Sequence, residues 1–312
     1  MNTDHQDDQF YLARKSENLR RRAGLISGIR HFFAQNNFLE IETPVRIPAP
    51  APEEYIEAIP SDDWFLQTSP ELCMKRLLAA GYPRIFQFSK CFRADERGGR
   101  HLPEFTMLEW YVAHFDYRQL MDQCEALLLA ALQDTEHGKN IIWQDKTVHL
   151  APPWQRITVA DAFSQFAPID LREALAQDKF DEILVEYIEP RLGINRPTFL
   201  CDYPAQLAAL SKIKKTDPTV AERFELYIGG MELANGFSEL TDTDEQRRRF
   251  EEASEARDAK HWAHYPMPEK FLTALKHLPP CAGIALGIDR LAMILAGTSC
   301  IDDVVAFPPE AL

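Results

Sequence analysis

The sequence predicts an α+β domain in which helices flank an antiparallel sheet. Strand-like segments alternate apolar and polar residues and are bounded by turn residues. These segments are 85–93, 104–113, 222–228 and 231–240. The last two surround Gly229-Gly230, which suits a two-residue hairpin turn. Because the strands occur in meander order, with helices between the blocks, we expect antiparallel pairing.

The 312 residues suffice for one large domain with a sizeable core. Residues 1–15 are expected to form a disordered or loosely docked arm before a single catalytic domain over 16–312. Ser16 can cap a helix that runs to about Asn36. The apolar face of that helix is predicted to comprise Leu19, Ala23, Ile26, Ile29 and Phe33. A strand over 38–42 should follow it.

A second helix begins at Ser69-Pro70-Glu71, where a cap, a first-turn proline and an acid occur together, and should end at Gly81. Further helices are predicted at 118–132 and 243–260, a small hairpin at 141–150 and a mixed, mostly helical region at 151–200. A strand at 282–286 should lead through Gly287 into a helix at 288–296.

Composition excludes several function classes. No apolar run is long enough to span a bilayer, and the polar N-terminus has no apolar signal region, so a cytoplasmic, non-membrane protein is expected. Six scattered cysteines without a CxxC pair indicate reduced thiols. The net charge of −14 disfavours binding to tRNA or DNA, which usually needs a basic surface.

The first candidate site is the charged loop Phe92–His101. Arg93 leaves a strand into this loop, and a guanidinium can bind phosphate oxygens bidentately. A solvated charged turn is the alternative.

The strand that follows places Phe105, Met107, Glu109 and Tyr111 on one face, since side chains alternate. The opposite face is apolar and predicted to be core. Burying Glu109 is costly unless it has a partner. That partner is either a ligand ammonium or an arginine in a buried ion pair.

The hairpin carries a second group of acids. With a two-residue turn, Tyr227 faces Glu232, and Glu225 lies on the same face. Two carboxylates facing one way suit a magnesium ion bound to ATP phosphates. Asn235 and Glu239 continue this polar line. An exposed sheet face rich in acids is the alternative.

The third candidate is the segment Gly283–Leu291, where Arg290 lies in the first turn of a helix. A cation there is unfavourable with the helix dipole unless an anion binds as well. A glycine-rich packing turn is the alternative.

In this order, the motifs resemble the three-motif signature of class II aminoacyl-tRNA synthetases. Residues 25–45, 91–113 and 283–296 are similar to motifs 1, 2 and 3. Within the class, RHLPEFTMLEWY and ERFELYIGGMELANGFSEL resemble active-site segments of lysyl-tRNA synthetase. The resemblance covers roughly 16–308 and implies a class II antiparallel sheet flanked by helices.

The resemblance implies roles for individual residues. Arg93 and Arg290 would be catalytic, stabilising charge while the amino acid carboxylate attacks the ATP α-phosphorus. The implied ATP-binding residues are Arg93, Ala94, Asp95, His101, Leu102, Phe105, Glu232, Leu233, Gly287 and Arg290. The implied substrate-binding residues are Ser69, Pro70, Glu71, Glu109, Tyr111, Asn235, Glu239 and Ala285. Glu71 would bind the α- or β-amino group and Glu239 the ε-ammonium of lysine. Glu225 and Glu232 would hold Mg²⁺.

Four departures from lysyl-tRNA synthetases refine the expectation. Those enzymes have an N-terminal domain that reads the anticodon, and a motif 1 helix that begins near residue 16 leaves no room for one. Ala285 stands where they have glycine, Asp95 where they have glutamate and Leu102 where asparagine is usual. The first two match the stand-alone elongation factor P–(R)-β-lysine ligases.

The expected partners are therefore elongation factor P, lysine or (R)-β-lysine, ATP with Mg²⁺, and a second copy of the chain through motif 1. A lysine of elongation factor P would be the acyl acceptor rather than tRNA. Three alternatives remain open. They are an ammonia-using amino acid ligase on this fold, a truncated lysyl-tRNA synthetase-like enzyme that charges tRNA or another small acceptor, and a non-catalytic amino acid-binding paralogue.

Overall fold

The computed structural model describes residues 10–133 and 139–312. The helices are α1 Ser16–Gln35, α2 Glu71–Ala79, α3 Tyr117–Leu132, α4 Val159–Phe166, α5 Leu171–Ala176, α6 Phe180–Ile183, α7 Thr243–Ala259, α8 Glu269–Leu275 and α9 Ile288–Ala296. The strands are β1 Leu39–Glu40, β2 Arg46–Ile47, β3 Pro60–Ser61, β4 Trp64–Leu66, β5 Arg84–Phe92, β6 Glu104–Ala113, β7 Asn140–Trp143, β8 Lys146–His149, β9 Gln155–Thr158, β10 Thr198–Pro204, β11 Val220–Ile228, β12 Met231–Ser238 and β13 Cys281–Gly287.

Eight strands form the central sheet in the order β1-β5-β6-β13-β12-β11-β10-β9. The six inner strands pair antiparallel, as the meander order predicts. Only the outermost pairs, β1 with β5 and β9 with β10, are parallel. The predicted α+β class is confirmed, with a mixed sheet in place of a purely antiparallel one.

The two faces of the sheet have different chemistry. On β6, Leu108, Trp110 and Val112 point into the main hydrophobic core. Helices α1, α3 and α9 cover that face. The other face carries the alternate residues of β6, β13, β12 and β11 and forms the floor of a cavity. This is the division that the alternation in β6 predicts.

The β11–β12 hairpin has the predicted turn, but its register shifts by one residue between Leu226 and Tyr227, which places Asn235 opposite Glu225. Gly229 and Gly230 both have positive φ, at 61° and 76°, which a type I′ turn requires. Tyr227 pairs with Glu232 across the ladder.

The N-terminal prediction needs correction. Residues 10–14 are already helical, so Ser16 does not begin the helical chain, and the N-cap position Lys15 makes no side-chain cap. Lys15 is buried, and its Nζ donates to Tyr11 Oη at 2.7 Å and to the Val305 carbonyl at 3.1 Å. That part of the predicted loose arm is thus docked, whereas residues 1–9 lie outside the described residues.

The buried face of α1 also differs from the prediction. It consists of Leu25, Ile29 and Phe33, whereas Ala23 is exposed. The strand predicted after it contains only Leu39–Glu40.

All six cysteines are free thiols. In the described residues, none of the helices combines the length and apolar character needed to cross a bilayer.

Two glycines one turn apart on α1 test the packing of the core face. A Cβ on Gly28 would lie 2.9 Å from the Ala131 carbonyl oxygen of α3, whereas a Cβ on Gly24 would meet no atom within 4 Å. Both alanine variants gain about 1 kcal/mol of helix propensity. Gly28→Ala should nevertheless lower the free energy of unfolding by roughly 1–3 kcal/mol because the backbone of α3 must move.

The measurement is urea unfolding of both variants beside the wild type. Gly24→Ala should be neutral or stabilising. Equal effects of the two substitutions would contradict the close α1–α3 contact.

Candidate active site

Functional side chains form one row across five strands of the sheet. Strand register aligns them as direct neighbours on the cavity face. From β5 to β11 the row is Gln87, Glu109, Ala285, Asn235 and Glu225. Because each member lies on a strand of a continuous sheet, their spacing is fixed by backbone hydrogen bonds rather than by loops.

The cavity above this row has a volume of about 1030 Å³. All but four of the predicted site residues line it. Those that do are Ser69, Glu71, Arg93, His101, Leu102, Phe105, Glu109, Tyr111, Glu225, Glu232, Leu233, Asn235, Ala285, Gly287 and Arg290. Pro70, Ala94, Asp95 and Glu239 do not. Asp95 is an exposed turn residue with φ of 60°, and its side chain does not line the cavity.

One end of the cavity is suited to an anion. The Arg93 guanidinium lies 5.2 Å from the centre of the Phe105 ring, and its Nη1 lies 3.6 Å from Glu96. Its Nε is buried and has no hydrogen-bond acceptor among the described residues. A buried donor without an acceptor is costly, so a carboxylate or phosphate oxygen fits here.

Arg290 approaches the same end from the first turn of α9. Its Nη1 donates to the Glu232 carbonyl at 3.1 Å and to Glu232 Oε2 at 3.2 Å, and its Nη2 lies 2.5 Å from His101 Nε2. Burial and the Arg290 charge lower the pKa of His101, so a neutral imidazole accepts this hydrogen bond. A Cβ on Gly287 would meet only ordinary contacts, which leaves the space beside Arg290 open.

The amino acid end is acidic. Glu109 is buried in the middle of the row, with Ser69 Oγ donating to it at 2.6 Å and Tyr111 Oη at 2.9 Å. Burial, followed by the charge of Glu71, raises the pKa of Glu109 to about 8. Its hydrogen bonds come from hydroxyls, so the alternative of a buried arginine pair is wrong.

Lys75 was not recognised in the sequence, although it is the cation of this region. It is buried, its Nζ forms an ion pair with Glu71 one helical turn earlier, and it lies 2.5 Å from Glu239 Oε2. The sequence does contain a local indication of the Glu71–Lys75 ion pair, because an acid and a lysine lie four residues apart on α2. Its contact with Glu239 joins a helix to a distant strand and has no local signature.

Lys75 also provides a partner for Glu239, the residue predicted to bind the substrate ε-ammonium. This carboxylate is fully buried, faces the Lys75 ammonium and does not line the cavity. It holds the pocket's own lysine, and its contact with a substrate ε-ammonium stays a prediction. Burial raises its pKa to about 8, with Lys75 acting in the opposite direction.

Glycine at 283 is required beside these acids. A Cβ at Gly283 would lie 2.2 Å from the Tyr111 ring and 2.5 Å from Glu239 Oε1. No side chain fits there. Two residues along the strand, the Ala285 methyl group lies between Glu109 and Asn235 in the row, where it reduces the width of the pocket.

At the far end of the row, Glu225 is buried rather than on an exposed sheet face. Tyr203 Oη donates to it at 2.5 Å, Tyr227 Oη at 2.7 Å and Arg223 Nη2 at 2.6 Å. Burial raises its pKa, and the nearby Glu232 charge acts in the same direction. The sequence indicated Glu225 and Glu232 but not the arginine and the phenols that hold Glu225.

Within residues 10–133 and 139–312, no three His, Cys, Asp or Glu side chains are grouped to hold a metal. An ion between Glu225 and Glu232 would need water or ligand oxygens to complete its shell, as Mg²⁺ commonly does.

Comparison with known proteins agrees with this geometry. The family model for tRNA synthetases class II (D, K and N) matches residues 9–311. The chain belongs to the class II tRNA synthetase family. Three relatives of this class II chain are named elongation factor P–(R)-β-lysine ligase. The relative from Pectobacterium carotovorum subsp. carotovorum is 40% identical, and the alignment covers 94% of this chain and 95% of the relative. The relative from Proteus mirabilis is 40% identical, with 93% of this chain and 94% of the relative covered. The relative from Vibrio vulnificus is 39% identical, with 94% and 95% covered. The resemblance inferred from the motifs is confirmed.

The buried acid of this class II site should reduce the stability of the empty protein. The folded-state pKa of Glu109, about 8, lies above its ordinary value of 4.5, so the folded protein holds a proton that the unfolded chain releases between these pH values. Stability therefore falls as pH rises through this window. Glu109→Gln keeps the size of the side chain and should raise the free energy of unfolding by up to about 5 kcal/mol at pH 9 and by about 2 kcal/mol at pH 6.

Denaturant unfolding at both pH values measures the effect. Glu104→Gln, at the exposed start of the same strand, is the matched control and should change little. A loss of stability in Glu109→Gln at pH 9 would contradict an uncompensated buried charge.

Proposed function

We propose that the chain uses ATP to activate lysine or (R)-β-lysine as an adenylate and transfers the acyl group to a lysine side chain of elongation factor P. The observation that carries this proposal is the charge balance at the amino acid end of the cavity. Three carboxylates, Glu71, Glu109 and Glu239, share the single ammonium of Lys75.

With all three carboxylates ionised, two negative charges would remain uncompensated, and the empty pocket avoids them by keeping protons on Glu109 and Glu239 below about pH 8. Lysine and β-lysine each carry two ammonium groups, so either isomer would neutralise these two negative charges. Aspartate would add a further carboxylate, and asparagine would supply only one ammonium. Among the D, K and N substrates of the matched family, a lysine-type amino acid is the one that this charge favours.

The opposite end of the cavity suits the carboxylate and the ATP phosphates. The unpaired Nε of Arg93 can donate to the substrate carboxylate or the α-phosphate, and Phe105 offers a ring for adenine to stack on. The carboxylate then attacks the α-phosphorus in line, and pyrophosphate leaves. Arg93 and Arg290 stabilise the negative charge that develops.

Magnesium is proposed at Glu225 and Glu232. Burial and the nearby Glu232 charge raise the pKa of Glu225, so a cation between the two acids is favourable. Glu232 has free acceptor capacity beside Arg290, whereas Glu225 offers mainly the oxygen that Arg223 contacts. When bound, the ion would neutralise phosphate charge and orient the nucleotide.

Elongation factor P is proposed as acceptor on the names of the relatives, which are similar over nearly the whole chain. The net charge of −14 supports a protein acceptor over tRNA. We also propose a homodimer through the motif 1 segment, where the edge strand β1 leaves Leu39 half exposed.

The test offers α-lysine, (R)-β-lysine, (S)-β-lysine, aspartate and asparagine with ATP in a pyrophosphate-exchange assay. Intact mass spectrometry then follows acylation of elongation factor P, with tRNA charging measured in parallel. Exchange with a lysine isomer alone, and a mass shift on elongation factor P, are expected. Charging of tRNA without the mass shift would favour the truncated synthetase instead.

Lysine binding should depend on pH in a way that ATP binding does not. Below about pH 8, Glu109 and Glu239 hold protons in the empty site, and an incoming ammonium must displace them. The apparent affinity for lysine should therefore rise at least about tenfold between pH 6 and pH 8 and then level off.

Calorimetric titration in buffers of different ionisation enthalpy checks this by counting released protons. ATP, whose predicted contacts are at the other end of the cavity, is the internal control. A lysine affinity that is flat from pH 6 to pH 8 would contradict the protonated-acid description of the empty pocket.

A further inference from the structure

The transfer half of the proposed reaction needs a base that adenylate formation does not. The acceptor lysine is an ammonium at neutral pH and has no lone pair to attack with. A group close to the adenylate must take its proton, and a base works best when its pKa lies near the working pH. The inference below rests on the proposed function and identifies that group.

Most carboxylates on the cavity wall already have a partner. Glu54 accepts from Lys260 Nζ at 2.9 Å, and Glu109, Glu225 and Glu232 are bonded as described above. The remaining paired acids are Glu71, Glu96, Glu245, Glu252 and Asp289. Across the part of the chain that the structure describes, Glu53 and Asp181 are the lining acids for which no hydrogen bond or ion pair is found.

Of these two acids, only Glu53 is partly buried, whereas Asp181 is exposed. Charges at the centre of the site act on Glu53. Burial and the Glu71 carboxylate raise its pKa to about 7, and the cations Arg93, Arg223 and Lys75 oppose this. These charged groups come from both ends of the cavity, so Glu53 faces the site between the amino acid end and Arg93.

The loop that carries Glu53 is held firmly. Buried Arg257 of α7 donates to the Glu53 carbonyl at 2.8 Å and to the Ile56 carbonyl at 2.7 Å, and it pairs with the Glu57 carboxylate at 2.6 Å. The Ala94 amide donates to the Glu57 carbonyl at 2.8 Å, which ties this loop to the loop of Arg93. A base on so fixed a backbone needs little reorganisation.

The neighbouring wall suits a cationic side chain. Exposed Tyr55 and the carboxylates of Glu54 and Asp181 line the cavity beside Glu53, and Asp181 lies close enough to Glu54 to be affected by its charge. Apolar Phe180 and Leu184 continue this wall. An aminoalkyl chain has the matching chemistry, an apolar stem with a cationic end.

We propose that Glu53 is the general base of acyl transfer and that the acceptor ammonium enters between the 52–56 loop and the 180–184 segment. The Glu53 carboxylate removes one proton from the acceptor ammonium. The freed nitrogen lone pair attacks the acyl carbonyl carbon, a C–N bond forms, and the bond from carbon to the phosphate oxygen breaks. AMP leaves with the electron pair, and the second nitrogen proton passes to its phosphate or to water.

The test compares Glu53→Gln with Glu104→Gln, an exposed acid at the start of β6 that does not line the cavity. The enzyme is first loaded with ATP and the preferred lysine isomer, and single-turnover decay of the adenylate is then followed. One reaction receives elongation factor P. The other receives hydroxylamine, which is neutral at pH 7 and needs no base.

In Glu53→Gln, transfer to elongation factor P should slow at least about hundredfold relative to the hydroxylamine reaction, which is the usual size of a lost general base. The ratio of the two rates should be unchanged in Glu104→Gln. Equal slowing with both acceptors, or no slowing with either, would overturn the role of Glu53. A wild-type enzyme that forms no adenylate from any lysine isomer would instead overturn the proposed function, and this inference with it.

Discussion

The burial of Glu109 in the middle of the sheet is the constraint on which the site depends. A carboxylate there is unfavourable, and two hydroxyl donors with the nearby Lys75 ammonium offset only part of the cost. Below about pH 8 the empty pocket therefore keeps protons on Glu109 and Glu239. Binding the proposed doubly cationic substrate would replace these protons with ammonium groups, which would favour lysine over an amino acid with a single ammonium group.

The sheet fixes the positions of these buried acids relative to one another. Five strands contribute neighbouring residues to one row, and the opposite face of the same strands is buried beneath α1, α3 and α9. A shift of one residue in register would exchange the two faces and bury the acids in the core. The core therefore specifies the position of the charged row, whereas loops supply Ser69, Arg93 and Glu53.

Local patterns explain what the sequence could predict. Alternation on β6 indicated the exposure of Glu109 to the cavity, and Gly229-Gly230 fixed the pairing of Tyr227 with Glu232. Contacts between distant segments could not be foreseen. Lys75 meets Glu239 across a helix and a strand, Tyr203 reaches Glu225 from another strand, and Glu53 lies in a proline-rich loop without periodicity.

The same acidity that selects a lysine substrate creates a chemical difficulty for a lysine acceptor. Negative charge attracts an ammonium and also stabilises it against losing its proton, which suppresses the nucleophile. An acid held by donors, such as Glu109, is poorly placed to accept that proton because its lone pairs are engaged. Glu53 differs in having no such donors and in lying within the influence of Arg93, whose charge would also hold the leaving AMP. An acidic pocket that activates one lysine and acylates another therefore requires carboxylates of both kinds.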